Sequence, residues 1–169
     1  DGNGFGTNIT PTAESGTGLF VTLFKLDPDN TERLYYANDN ALYRTTTAST
    51  VTSATWTSMS GVATSVAAAN DISALAMTRG TYSAATASLF MGTTNGKVFR
   101  LNDPTGVAAA TAPVDITGTI NAGFISSIAV NPRNDDTVLV TVSNYGIIGV
   151  YWTGNANAAS PTWTAVEGA

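Results

Sequence analysis

Apolar residues along this chain fall in short runs set apart by Asp, Asn, Pro and Gly. In the first part the extended segments run over Phe20–Leu26, Leu34–Ala37, Ala41–Thr46 and Thr55–Ser58, a pattern that predicts strands joined by turns. Later groups repeat the design. The second segment of each, such as Val138–Val142, is apolar at successive positions, which predicts an inner strand covered on both faces. Asp39-Asn40 and Asn95-Gly96 stand between strands where positive φ is often required, so tight hairpins are expected there. Two Ala-rich stretches, Val62–Ala69 and Val107–Ala112, carry helix propensity, but both are short and contain Thr. A linker or an irregular outer strand is the expectation for each.

Comparison of the chain with itself shows a repeat. Phe20–Ala37 aligns without a gap onto Phe124–Thr141 at an offset of 104, placing Asp27-Pro28 on Asn131-Pro132. Ala54–Gly61 matches Pro161–Gly168 once three extra residues are allowed, and so pairs Trp56 with Trp163. A middle copy lies halfway. There Ile72–Met77 stands opposite Val21–Leu26, and Asn95–Arg100 opposite Asp39–Arg44. Its Arg79-Gly80 replaces the Pro-containing turn, and Pro113 takes the Trp position. The period is thus near 52 residues, with four strands to a unit.

Four-stranded units of this length stacked radially make a β-propeller, in which neighbouring sheets bury each other's faces. The expected fold is all-β and propeller-like, with three four-stranded antiparallel blades forming part of a larger ring; an open stack is the second choice. Residues 1–19 read as an N-terminal segment or an incomplete preceding blade, 20–61 as the first repeat, 62–118 as a linker with the second, and 119–169 as the third. The run Ile125–Thr141, followed by Gly149–Trp152 and Pro161–Trp163, resembles secreted bacterial propellers of the Asp-box, sortilin and xyloglucanase-like group. That resemblance spans Phe20–Gly168 and implies a fragment of a larger exported protein. It departs from the group's Asp-box, Ser/Thr-x-Asp-x-Gly-x-x-Trp: Thr45–Thr50 and Thr153–Ala158 do not supply the full Asp/Gly pattern, with Asn155 as a partial stand-in.

Composition narrows the chemistry. The chain has no Cys and no His, which removes thiol nucleophiles, thiolate metal sites, disulfides and the usual general base near neutral pH. A net charge of -5 argues against nucleic acid as a partner, and no apolar run is long enough for direct membrane insertion. Ser, Thr, Asn, Gly and Ala make 96 of the 169 residues, and only two are Lys. This balance suits a secreted or bacterial cell-surface protein. The N-terminal Asp1–Gly4 shows no signal-peptide layout, so an export signal is expected to be removed or to lie outside this chain.

Carboxylates are the remaining catalytic resource, since a glycosidase needs two acids across a groove. Asp27, Asp39, Asp71, Asp103, Asp115, Asp135 and Asp136 mostly sit beside turn residues, and no pair is marked out; the catalytic set is therefore expected to be empty. No cofactor is implied. Oxygen donors in Asp27–Asn30 and Asn131–Asp136 suit a structural Ca2+, but neither has EF-hand spacing and a plain turn is preferred. Tyr145, Tyr151 and Trp152, around Gly146 and Gly149, are the candidate ligand-binding rings, with core packing as the competing role. Trp56, Trp163, Pro28 and Pro132 are assigned structural roles. Asn8-Ile9-Thr10 forms an N-glycosylation sequon. The expected function is a non-catalytic extracellular scaffold or recognition segment for carbohydrate or protein, with the remaining blades, in the same or another chain, as its first partners. Two alternatives stay open: a glycoside hydrolase segment using paired carboxylates with missing blades, and a structural subunit of a surface or filament assembly.

Overall fold

The computed structural model describes residues 6–167. Twelve strands form three separate four-stranded antiparallel sheets, each meandering in chain order. The first holds β1 (Leu23–Asp27), β2 (Asn30–Asn38), β3 (Ala41–Thr45) and β4 (Thr57–Ser58). The second holds β5 (Ile72–Met77), β6 (Ser88–Thr93), β7 (Val98–Asn102) and β8 (Val114–Asp115). The third holds β9 (Phe124–Val130), β10 (Val138–Ser143), β11 (Val150–Thr153) and β12 (Thr164–Ala165). Among the described residues the sheets do not close into a ring.

The sheets stack face to face because alternate side chains of the middle one serve two cores. Leu89, Met91, Phe99 and Leu101 pack with Tyr35, Ala37 and Leu42 of the first sheet. Ala74, Ala76, Phe90 and Val98 pack with Ile125, Ile128, Val138 and Val140 of the third. Every residue of β6 is buried, as its apolar run Leu89–Met91 predicts, whereas β10, expected to be covered on both faces as well, alternates between buried and half-buried because only one of its faces meets another sheet. At Gly92 the third sheet comes so close that a Cβ would lie 2.3 Å from Ile125 Cγ2. The predicted hairpins carry the positive φ they need, +49° at Asp39 and +87° at Gly96.

One element differs from the sequence expectation. Where Val62–Ala69 was expected as a linker or irregular strand, Ser60–Val66 forms a helix, α1. Tertiary packing outweighs the modest propensity: Val62 and Val66, one turn apart, bury against the core between the first two sheets. The Thr64 and Ser65 hydroxyls fold back onto the carbonyls of Ser60 and Gly61 at 3.0 and 2.9 Å, a local satisfaction that lets these residues sit inside a helix. Val107–Ala112 does remain irregular. β1 also begins later, and β2 earlier, than the hydropathy pattern suggests.

Candidate functional site

Connections from first to second and from third to fourth strands all lie at one end of the antiparallel sheets, and two arginines bridge neighbouring sheets there. Arg44 ends the Leu-Tyr-Arg run of β3, and its guanidinium donates to the Pro104 carbonyl in the second sheet at 2.9 Å. Arg100 stands at the matching place in β7. It is buried and donates to Asn102 Oδ1 at 2.8 Å and to the Ala156 and Ala158 carbonyls of the third sheet, the latter at 3.0 Å. Burial lowers its pKa from the usual arginine value, with Asp136 acting in the opposite sense. Sequence reading aligned these two arginines without giving them a role; their shared position at the end of third strands was the available signal.

A second set of charges faces an open groove of about 540 Å3 lined by Asp29, Asn30, Arg33, Gly80, Thr81 and Tyr82. Arg79 pairs with Asp29 through two contacts of 3.3 and 3.2 Å, and Gly80 N–H adds a third at 2.6 Å. These donors hold the Asp29 carboxyl below the usual carboxylate range. Arg33 reaches the buried Asp27 at 3.1 Å and lies 4.2 Å over the Tyr82 ring. The Tyr82 hydroxyl donates to Asp103 at 2.5 Å and accepts from Thr105 N–H at 2.9 Å. A general acid needs the opposite shift from that of Asp29.

The sequence-picked rings do not form one surface. Tyr145 is fully exposed on the β10–β11 connection, and Trp152 is partly exposed on the outer face of β11. Tyr151 points the other way, is buried, and its hydroxyl accepts from Asn121 N–H at 3.2 Å. Trp163 is buried between the second and third sheets and donates to the Ile116 carbonyl at 2.7 Å. Trp56 is half-buried and donates to the Ile9 carbonyl at 2.7 Å. Pro28 and Pro132 sit in the β1–β2 and β9–β10 turns and both border a groove along the first strands.

The acidic turns are internally satisfied. Asp27 accepts from Asp29 N–H and Arg33, Asp39 from Gly18 N–H, and Asp136 from Asn157 N–H. Burial pushes Asp115 up, but Thr117 and Lys97 outweigh it and leave its carboxyl below the usual value. Among the described residues no group of three or more acidic side chains is placed to hold a metal ion. Glu14, absent from the sequence reading, accepts from Tyr36 and Asn38 at 2.7 and 2.5 Å, while its other oxygen is buried without a partner.

The sequence matches no family of known proteins and no curated protein. A solved structure titled as an ancestral GH74 enzyme is similar in fold: its TM-score is 0.55 at 15% identity, over 86% of this chain. The three sheets are propeller-blade-like units. The chain spans 18% of the length of that structure, and so corresponds to a small part of such a protein.

Proposed function

We propose that the chain is a non-catalytic, scaffold-forming segment of an extracellular propeller, and that the groove beside Tyr82 serves it as a carbohydrate-recognition surface. The observation that carries this reading is the groove itself, where Asp29, Arg33 and Tyr82 stand around open space at the junction of two sheets and Arg79 holds Asp29 in place. Each of these charges is paired, so the groove offers directed hydrogen bonds and a ring without a free acid–base couple. A secreted setting rests on the composition and on the resemblance to exported propellers.

Electrophoresis of the chain through gels holding a soluble polysaccharide, with xyloglucan first, tests this. Retardation is expected, retained by Tyr82→Phe and reduced by Tyr82→Ala, with no release of reducing ends. Absence of retardation with every neutral glucan tried would remove the recognition role. The second reading, glycoside hydrolysis with acids supplied partly from outside these residues, is favoured by the similarity in fold to an ancestral GH74 enzyme. Reducing ends released by a longer form of the protein, and abolished by a carboxylate substitution in this segment, would establish it.

A further inference from the structure

The short stretch ahead of the first sheet repeats two of the bonds with which the second sheet ends. Asn8-Ile9-Thr10-Pro11-Thr12 corresponds to Asp115-Ile116-Thr117-Gly118-Thr119. Asn8 Oδ1 accepts from Thr10 N–H at 2.9 Å, as Asp115 Oδ1 does from Thr117 N–H at 2.9 Å. The Trp56 indole reaches the Ile9 carbonyl and the Trp163 indole the Ile116 carbonyl, each at 2.7 Å and each across 47 residues. Beyond the isoleucine, the Tyr43 hydroxyl donates to the Ala13 carbonyl at 3.2 Å, while the equivalent Tyr151 hydroxyl accepts from Asn121 N–H at 3.2 Å, so the tyrosine position is shared and the bond is not.

What differs is the cover. Ile116 is 1% exposed but Ile9 is 40% exposed. Ile128, which packs on the second sheet, is 7% exposed, whereas Phe24, its counterpart at the repeat offset, is 66% exposed. Phe24, Leu34, Tyr36 and Trp56 together with Ile9 and Pro11 line an apolar groove of about 280 Å3 on the outer face of the first sheet.

We infer that residues 8–13 are the last strand and exit turn of a further blade, and that the outer face of the first sheet is the seat of that blade's other three strands. The occupant is a three-stranded antiparallel sheet of the same repeat, joined in cis to the stretch before Gly6. In the second sheet, Ile116 N–H donates to the Val98 carbonyl and the Thr117 hydroxyl accepts from Val98 N–H, both at 2.9 Å. The incoming third strand makes the same two bonds with Ile9 and Thr10, an edge addition of the β-augmentation kind. A second copy stacking its third sheet here is disfavoured by geometry. Val166 bonds to Val150 as Ile116 does to Val98, so it would fall on the place Ile9 already fills. In this frame the Asn8 sequon is a strand end under a neighbouring blade.

The absence of cysteine makes a single introduced thiol a clean probe. Phe24→Cys and Leu26→Cys are made separately in the 169-residue chain and in the full-length gene product, with Tyr145→Cys as an exposed control. Maleimide is expected to label all three readily in the 169-residue chain. In the full-length product it should label the first two more than about tenfold more slowly, as for groups that react only on local opening, and the control unchanged. Equal rates in the two proteins would overturn the inference, as would a gene product with no blade-sized stretch ahead of Asp1. Protection of Phe24→Cys in the 169-residue chain alone, with a doubled mass by light scattering, would assign the face to a second copy. None of these outcomes depends on the polysaccharide result.

Discussion

At the scale of single residues, Arg100 carries more of the structure than any carboxylate. Its guanidinium spans one side-chain amide and two loop carbonyls in the next sheet. Arg100→Met leaves those acceptors without a donor, and a loss of about 2–4 kcal/mol is expected, read as a lower urea midpoint at unchanged slope. Arg100→Lys should recover only part, because one ammonium cannot reproduce the fork. Tyr35 sets a second expectation. Burial pushes its hydroxyl up to about 12, against the opposing hydrogen bond with Thr105. In the unfolded chain it ionises near pH ~10, so between those values the folded state binds the extra proton. Stability is full below ~10 and falls as pH rises through 12; Tyr36 and Tyr82 shift in the same sense. Urea midpoints taken on either side of pH ~10 should therefore decline into alkali, and less steeply in Tyr35→Phe. The sequence carried the Trp and Pro positions but not these partners, since a repeat aligns residues within units and leaves blank what each reaches across a seam.

Among the elements, α1 shows why one stretch was misread. Ala and Thr content set the expectation of irregular chain, yet the spacing of Val62 and Val66 gave a helix a core to cover. Gly61 fixes where that helix sits: a Cβ there would lie 2.2 Å from the Thr111 carbonyl oxygen. Helix propensity favours Ala over Gly by about 1 kcal/mol, but overpacking against a backbone costs about 1–3 kcal/mol. Gly61→Ala should thus lower the thermal midpoint, and a rise would show that the loop yields freely. The strands themselves were legible because alternation and turn chemistry recur three times over. Tyr151 was grouped with Trp152 although neighbours in a strand face opposite ways; the one is buried and the other exposed. Trp56→Phe removes the indole bond to Ile9. Faster hydrogen exchange at Thr10 is expected, with little change at Thr117, whose own tryptophan is intact.

For the whole molecule, the two seams obey one rule of contact. The first sheet and the second each send an arginine forward into loop carbonyls beside the next, as Arg44 does to Pro104 and Arg100 to Ala158. Each also receives its neighbour on an aliphatic and aromatic face. In β11 the matching forward position is held by Trp152, partly exposed. The stack therefore has a direction, like bricks with studs above and sockets below. Two copies related by a twofold axis would set stud against stud or socket against socket and so forgo the contact that joins the sheets within the chain. Sheets added in the order the chain itself uses run head to tail, a polarity that yields a ring if the wedge angle closes and a fibre if it does not.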